Sequence, residues 1–436
     1  MMFFKIKLLL ASLLVLSGQF IFSQDSISIG LNDAIELALQ KNTDVVIANY
    51  QVNTTKFSLK EAKGNFLPKV YLNANYNRNI DQQVLFLSEA STATKLGSDN
   101  DYSSSLNLTL PLYSNSNFAN KKIAETGLDF QNELSRGIQQ SVINATKKSY
   151  FNYLIIQEVV EVQKSRLQNA QDILQDIQKR LDKGTLTEYD LTSAKVQVAN
   201  AKNNLLEAQS NIIPAANNLK LLLGLKSNDN LILTEPITLI EDELTLKGSI
   251  DQMLKQNSRL KQLDIDVKLN KKQINLVKSA YYPTLNAIGN YNYQAQANDF
   301  KVSNYNWVNT SLVGMQLQFS IFNGTITKNK VQQAVIAKKI AEEEKENAIR
   351  EYRMQFDELL SQLEFSRQKV TVLKENMNLT TNALALAKKR YLYGIGTFLE
   401  VNDAELMYTQ ARLNWLQAIS DYKSTYYDYQ LLIGKE

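Results

Sequence analysis

The sequence contains two copies of one unit, and this duplication constrains the fold more than any other feature. A constant offset of 215 residues joins Ile35 to Ile250 and Pro68 to Pro283. Further pairs match at this offset or at the later one of 210 residues: Asn42/Asn257, Lys63/Lys278, Tyr76/Tyr291, Arg180/Arg390, Gly184/Gly394 and Thr187/Thr397. Each copy is far longer than a solenoid repeat. The chain is therefore a duplicated half-protein, with repeat 1 at 24–226, a linker at 227–246 and repeat 2 at 247–436. The linker is expected to lie at mid-height along the helical part of the molecule.

Each copy predicts the same order of elements: helix, two strands, long helix, hairpin and helix. The boundaries predicted for repeat 1 are a helix at 31–64, strands at 68–78 and 102–113, a long helix at 114–182 and a helix at 188–223. Repeat 2 predicts a helix from 247, strands at 283–294 and 307–322, a long helix, a hairpin near Gly394 and a helix to the C-terminus. Only 15 Gly and 5 Pro occur in 436 residues, which favours long helices. Pro68 and Pro283 mark the helix-to-strand junctions.

Residues 1–23 have the pattern of a cleaved signal peptide. Lys5 and Lys7 supply a basic start, an apolar stretch runs from Leu8 to Leu16, and Ser23 precedes the expected cleavage point. The alternative is an uncleaved anchor helix, but the apolar stretch is short for a membrane span. The pattern therefore predicts export from the cytoplasm.

The predicted strands alternate between apolar and polar residues. In the first strand Val70 and Leu72 alternate with Asn73 and Asn75, a period of two. One interpretation is a small sheet in a soluble protein with one wet face. The strands run to about ten residues, however, which suits a tilted membrane strand. Aromatic residues gather near their ends, where interfacial girdles occur: Tyr71, Tyr102, Tyr113, Tyr281, Tyr282, Tyr305, Trp307 and Phe322.

Four strands cannot close a membrane barrel, and an open strand edge cannot face lipid. The chain must therefore share a barrel with copies of itself, as a dimer of eight strands or a trimer of twelve. The long helix predicts a rod of about 100 Å, and two half-length helices match it end to end, giving four helical columns per chain. Twelve columns spaced about 10 Å apart leave an open bore, which favours the trimer. The predicted fold is mostly α with membrane β: a 12-stranded barrel continued by an α-helical barrel.

A heptad seam on the helix after the first hairpin supports long helical contacts. Its positions, with those of the second copy, are Leu191, Ala194, Val198, Ala201, Leu205 and Ala208, then Val401, Ala404, Tyr408, Ala411, Trp415 and Ala418. The same stripe is equally expected of an ordinary two-helix hairpin, so the seam alone does not distinguish the two arrangements.

The composition argues against catalysis and cofactor binding. The chain has no His and no Cys, which excludes Ser–His, Cys–His and the usual zinc chemistry. No Gly-rich phosphate loop is present, and we predict no cofactor and no metal. Removal of residues 1–23 takes two Lys and no acids, so the formal net charge falls from +4 to +2, and nucleic acid is not an expected partner.

Taken together, the duplication, the prolines at the helix–strand junctions and the two Gly-containing hairpins resemble the TolC-like outer-membrane efflux family. The resemblance covers essentially the whole chain after the signal peptide. It implies a barrel in the outer membrane, outward-facing loops at 79–101 and 295–306, and a helical tunnel that extends into the periplasm. It also implies a passive exit duct of a tripartite efflux or type I secretion system. The residues expected to dock a periplasmic adaptor protein, and through it an inner-membrane transporter, are Gly184, Thr185, Gly394, Gly396 and Thr397.

The resemblance also implies a gate at the hairpins. Glu400 and Asp403 are three residues apart and share a helix face; in the family such acids line the periplasmic constriction. Asp190 is the acid that repeat 1 offers. Three chains would form a ring that favours cations. The alternative is that these acids only stabilise a helix N-terminus.

Four further residues carry expectations: Gly396, Arg180 and Arg390 at the hairpins, and Pro214 in the helix after the first hairpin. Gly396 stands where some members of the family have a basic latch residue. Arg180 and Arg390 are interpreted as surface charges, so no latch is assigned. Pro214 predicts a kink in the returning helix.

Two other functions compete with the duct. A structural or adhesive trimeric stalk would need no open bore. A carboxylate-dependent enzyme would depend on Glu400 or Asp403 in a monomer. The cargo is open, although zero His and few Met disfavour a dedicated soft-metal path.

Overall fold

The computed structural model describes residues 26–85, 94–236 and 249–435. The predicted signal peptide, 1–23, lies outside the described residues, as does 237–248. The described chain is mostly helical and divides into two compact units. None of the helices in these ranges is both long and apolar enough to cross a membrane.

The first unit comprises residues 1–46, 139–248 and 356–436. Its own elements are β1 Ser26–Ile29, α1 Leu31–Lys41, α4 Glu188–Ser210, α5 Ile212–Leu222, β6 Asn230–Leu233 and α9 Phe398–Leu432. Two long helices, α3 Asn115–Asp182 and α8 Ile326–Leu392, contribute residues to both units. The sequence predicted 114–182 for the first of these.

The second unit comprises residues 47–138 and 249–355. Its elements are α2 Thr43–Gly64, which begins in the first unit, β2 Lys69–Arg78, β3 Gln83–Leu85, β4 Thr94–Leu96, β5 Asn100–Ser114, α6 Ile250–Gln256, α7 Ser258–Lys278, β7 Thr284–Ala297 and β8 Val308–Gln318. The last strand is shorter than the predicted 307–322. The first long loop, 79–101, contains a small β3–β4 hairpin.

Asn42 divides the predicted single helix 31–64 into α1 and α2. Its side-chain oxygen accepts a hydrogen bond from the amide of Asp44 (2.9 Å), which caps α2. Its amide group donates to the carbonyl of Leu222 at the end of α5 (3.0 Å). The prediction of one continuous helix was wrong because the buried Asn42 caps both the start of α2 and the end of α5. The matching Asn257 caps α7 through the amide of Leu260 (3.1 Å).

The predicted helix 188–223 is likewise interrupted, at Asn211. Pro214 follows three residues later, in the first turn of α5, where a missing amide hydrogen costs no helical hydrogen bond. The expected kink near Pro214 is therefore a helix restart just before it.

Part of the predicted linker forms a strand. β6 pairs in parallel with β1, from Ser26 opposite Asn230 to Ile29 opposite Leu233. The carbonyl of Ile29 also accepts a bond from the hydroxyl of Tyr150 (3.4 Å). Tyr150 is fully buried, and this burial raises its pKa to about 12. The start of the described chain is thus fixed to the linker and to α3.

Within the first unit, α8 carries two apolar seams with a seven-residue repeat. The buried seam is formed by Phe356, Leu363, Val370, Leu384 and Tyr391. The exposed seam is formed by Phe365, Val372, Leu379 and Leu386 and is continued by Tyr393, which directly follows the helix; each is at least 62% exposed. A step of two residues turns a helix by about 200°, so the two seams lie on nearly opposite faces. One face of α8 packs inside the protomer and the other carries unburied apolar side chains.

The second unit contains a four-stranded antiparallel sheet in the order β2-β5-β7-β8. Within the described residues β2 and β8 each pair on one side only. Paired residues point to the same face, and the register places Val70 opposite Leu108 and Tyr71 opposite Asn107. One face is mostly apolar: Val70, Leu72, Leu106, Leu108, Tyr291, Val313, Met315 and Leu317. The other is rich in amides: Asn73, Asn75, Asn107, Asn290, Asn292 and Gln316.

Both junction prolines precede a strand directly. Pro68 lies between the end of α2 and Lys69, and Pro283 lies between a short 3₁₀ turn and Thr284. Tyr282, the residue before Pro283, has the extended conformation (φ −111°, ψ 149°) that a following proline imposes.

Candidate gate at the helix hairpins

Both hairpins of the first unit use the same backbone device. After α3, the amide of Thr185 donates to the carbonyl of Arg180 (3.0 Å) and that of Gly184 to Leu181 (2.7 Å). This is a Schellman cap, which requires a left-handed residue. Gly184 and Gly394 supply it, with φ of 72° and 75°. The duplicated glycines are therefore explained by the turn itself.

Gly396 is needed for a different reason. A Cβ atom there would lie 2.9 Å from the Cβ of Arg390 and 3.1 Å from the amide nitrogen of Tyr391. Its amide also donates to the carbonyl of Arg390 (3.1 Å). Repeat 1 has Leu186 at the matching place, so the second hairpin is folded more tightly onto the end of its helix.

The predicted ring acids differ in their contacts. Glu400 and Asp403 are exposed on α9, and the intervening Val401 is buried. Glu400 pairs with Arg390, with Nε and Oε2 3.4 Å apart. Arg390 also donates to the carbonyl of Ile395 (3.2 Å). Arg390 is therefore bound across its own hairpin, which corrects its interpretation as a simple surface charge.

Asp190 lies in the N-terminal cap of α4. Its carboxylate accepts hydrogen bonds from the amide (2.9 Å) and hydroxyl (2.7 Å) of Thr187, and its own amide donates to that hydroxyl (3.3 Å). These hydrogen bonds lower the pKa of Asp190. Thr397 caps α9 in the same way, accepting from the amide of Glu400 (3.2 Å), but there the carboxylate is bound to Arg390.

Three residues that the sequence analysis did not single out as a site join α3 to α8. The hydroxyl of Tyr391 donates to Oδ2 of Asp176 (2.8 Å). Arg180 pairs with the same oxygen (2.8 Å) and lies over the ring of Tyr391, 4.5 Å from its centre. Tyr391 is 8% exposed, and its burial, followed by the bond to Asp176, raises its pKa to about 12. Arg180 is thus part of a contact between the repeats rather than a plain surface charge.

A buried carboxylate connects the same helices further from the hairpins. Glu405 of α9 is 7% exposed and accepts a hydrogen bond from the amide group of Asn169 on α3 (3.0 Å). The ammonium of Lys388 lies 3.3 Å from its other oxygen, outside hydrogen-bond geometry. An adjoining void of about 20 Å³, lined also by Gln197 and Asn402, is large enough for one water molecule.

The copies themselves carried a signal for these residues. Tyr391 is matched in repeat 1 by Leu181, and Glu405 by Lys195. A polar or aromatic residue that replaces a residue of another type in a duplicated chain marks a place where the repeats have different roles.

An apolar cluster packs the two hairpins together. Fully buried Ile177 contacts Leu191 and Ala194 of the α4 seam, and Phe398, the first residue of α9, packs on this cluster. At this end of α4, the heptad seam therefore packs against α3, the other helix of its own hairpin. Among the residues of the described ranges, no group of three His, Cys, Asp or Glu could hold a metal ion.

The chain is similar in sequence and in fold to known proteins. The sequence profile described as "Outer membrane efflux protein" matches residues 34–225 and 249–435, one stretch in each repeat. The chain is 22% identical over 374 residues to the outer membrane protein TolC of Vibrio cholerae, covering 84% of this chain and 81% of that protein.

Two further proteins are similar. The toxin and drug export protein A of Aggregatibacter actinomycetemcomitans is 26% identical over 206 residues, which is 47% of this chain and 43% of that protein's length. The crystal structure of the Campylobacter jejuni CmeC outer membrane channel superposes with a TM-score of 0.76 at 18% identity, covering 93% of this chain and 85% of that one. This structural likeness shows a shared fold.

Proposed function

The chain belongs to the outer membrane efflux protein family, and on that premise we propose that three copies form a passive exit duct of a tripartite efflux or type I secretion system. The protein is located in the outer membrane and extends into the periplasm. We propose further that residues 1–23 direct its export and are then removed.

The observation that carries the proposal is the four-stranded sheet, whose outer strands β2 and β8 each pair on one side only within the described residues. Its exposed apolar face includes Val313 (90% exposed), Met315 (75%) and Leu72 (71%). In a single protomer the apolar face does not suit water, and the open edges do not suit lipid. Twelve strands from three chains would pair every edge, place the apolar face against lipid and line the lumen with carboxamides such as Asn107 and Asn290.

The exposed seam of α8 supports the same assembly. Five apolar side chains at seven-residue spacing need a partner, and heptad spacing is what a neighbouring helix requires. A helix with seams on opposite faces suits the wall of a helical barrel, where every helix has a neighbour on each side. In a solid stalk the helices would bundle without a bore.

The second hairpin is the proposed gate. The bond of Tyr391 to Asp176 holds α8 against α3, and Arg390 holds the carboxylate of Glu400. In the trimer Glu400 and Asp403 would form the acidic constriction, whereas Asp190 is partly committed to its helix cap. Separation of the two hairpins in each protomer would open the duct without any covalent chemistry.

The tip of the protomer, which the two hairpins form, is the proposed docking surface for a periplasmic adaptor protein. That protein would connect the duct to an inner-membrane transporter. Apolar side chains there are widely exposed in the protomer: Tyr189 (80%), Leu392 (74%), Tyr393 (81%), Ile395 (67%) and Leu399 (63%). The tight turns built on Gly184, Thr185, Gly394, Gly396 and Thr397 would present these side chains. A relative named for toxin and drug export also favours a duct over an adhesive stalk.

Planar-bilayer conductance of the purified protein, with its oligomeric mass, tests the proposal. Wild type is expected to be a trimer that gives small cation-selective currents. A Val372→Ser/Leu379→Ser variant should lose the trimer and the currents, because it removes two positions of the exposed seam. The matched control Glu375→Ser/Asn382→Ser changes exposed polar residues of the same helix at the same spacing and should keep both.

Three results would count against the duct or against its assembly. A well-folded trimer that never conducts would support the structural stalk. A conducting monomer, or a seam variant that still forms trimers, would refute the assembly inferred from α8.

A further inference from the structure

A half-open groove of about 300 Å³ lies between α3, α8 and the start of α9, beside the Tyr391–Asp176 contact. It is separate from the face of α9 that presents Glu400 and Asp403. Its volume is at the lower end of the range for pockets that hold small organic ligands. The chemistry of its walls therefore determines what it could bind.

One part of the groove is apolar. Ile173 of α3, Leu392 of α8 and Val401 of α9 line it together with Tyr391. Leu392 is 74% exposed in the protomer, so this wall gains stability if an apolar group covers it. Tyr391 adds an aromatic side chain, which favours flat or cationic ligands.

The charges of the groove are unequally compensated. Asp176 is paired with Arg180, and the ammonium of Lys388 is drawn towards Glu405. Asp172 accepts a hydrogen bond from the neutral amide of Gln168 (2.8 Å), and in the described ranges no cation forms an ion pair with it. The groove thus combines an apolar wall with one uncompensated carboxylate.

We propose that this groove binds a small amphipathic organic cation. Its cationic nitrogen would lie against the carboxylate of Asp172, and its apolar body against Leu392 and Tyr391. The site is distinct from the acidic constriction, which offers carboxylates on an open helix face without an apolar wall.

Binding would also affect the gate, and this consequence rests on the proposed duct function. The groove adjoins the oxygen of Asp176 that accepts the hydroxyl of Tyr391. A ligand whose nitrogen lies against Asp172 of α3 and whose body lies against Leu392 of α8 bridges these two helices and stabilises the contact between them. An occupied groove should therefore favour the closed gate, because the ligand binds the arrangement in which α3 and α8 are in contact.

The test is a fluorescence titration of the purified trimer with ethidium, a planar aromatic cation that brightens in apolar surroundings. Wild type should show saturable binding. Asp172→Asn should weaken it about three- to fivefold, since a partly exposed ion pair is lost. Leu392→Ser should weaken it by a similar factor through the apolar wall.

Asp182→Asn is the matched control. Asp182 is an exposed acid of the same helix that also accepts a bond from a Gln four residues earlier, Gln178 (3.0 Å), but it does not line the groove. This variant, and Glu400→Gln/Asp403→Asn, should bind ethidium like wild type. Equal affinity in Asp172→Asn and Asp182→Asn would overturn the proposal, as would binding lost only in the constriction variant.

Conductance separates this proposal from the duct itself. Ethidium should lower the open fraction of wild-type channels but not of Asp172→Asn channels. Currents without Asp172-dependent binding would leave the duct standing and reject the groove. Asp172-dependent binding to a protein that never conducts would support the groove and reject the duct.

Discussion

Replacing Tyr391 with Phe should loosen the closed gate while leaving the fold intact. The substitution keeps the buried ring and its contact with the guanidinium of Arg180, and removes only the hydroxyl that donates to Asp176 (2.8 Å). A hydrogen bond to a charged group contributes about 1.5–3 kcal/mol. Because Asp176 keeps its ion pair with Arg180, we expect the lower end, about 1.5 kcal/mol per protomer.

A trimer multiplies this effect. If the three links break together, the variant shifts the closed-to-open equilibrium by roughly a thousandfold, since each 1.4 kcal/mol is a factor of ten. Single-channel recording should show long-lived or larger openings in Tyr391→Phe. Tyr393→Phe is the matched control, because Tyr393 lies on the same hairpin but is 81% exposed. Identical open fractions for wild type and Tyr391→Phe would refute the assignment of this contact as a gate link.

The same residue predicts a pH dependence. The pKa of Tyr391 is raised from 10.0 to about 12, so folding favours the neutral phenol. Its contribution to the free energy of unfolding is fully present below pH 10 and is lost as the pH rises to about 12. At about 1.4 kcal/mol per pKa unit, the loss is about 2–3 kcal/mol. The free energy of unfolding, measured from pH 9 to 12, should therefore fall more steeply for wild type than for Tyr391→Phe. Parallel curves would contradict this reasoning.

Three further changes test other parts of the structure. Glu400→Gln/Asp403→Asn should abolish cation selectivity in planar bilayers while trimers still form; unchanged selectivity would place the constriction elsewhere. Gly396→Ala should destabilise the protein by about 1–3 kcal/mol in denaturant unfolding, because the new Cβ meets backbone atoms. Its control is Gly127→Ala, in open space on α3, which should be neutral or stabilise by up to about 1 kcal/mol. Asn42→Ala should lower the unfolding free energy by about 1–3 kcal/mol through its two lost bonds; a neutral result would show that neither bond contributes.

The duplication, the helical content and the alternating strands could be predicted because each depends on a periodic pattern. The helix breaks at Asn42 and Asn211 could not, since Asn is tolerated inside helices and only its tertiary partner, such as the carbonyl of Leu222, decides that it caps instead. β6 was missed because a strand of four residues is too short to show an alternating pattern.

The contacts at the proposed gate could not be predicted from the sequence for a different reason. Asp176 and Tyr391 are 215 residues apart, and their meeting depends on how the two hairpins pack. The acids at Glu400 and Asp403 were found through the family resemblance, but the commitment of Asp190 to a cap with Thr187 follows from hydrogen bonds of individual side chains. Periodicity identifies buried and exposed faces, but does not assign a partner to each polar group.

The matched backbone of the two hairpins also bears on how such a chain arose. A gene encoding one half would give a protein with two strands and two helical columns, and six such proteins would build the same twelve-membered ring. All six hairpins would then be identical and would have to open alike. In the duplicated chain one hairpin has Leu181 and Leu186, and the other has Tyr391 and Gly396 at the matching positions. In the proposed trimer, three hairpins can therefore serve as a fixed frame while the other three, which carry the proposed gate, move.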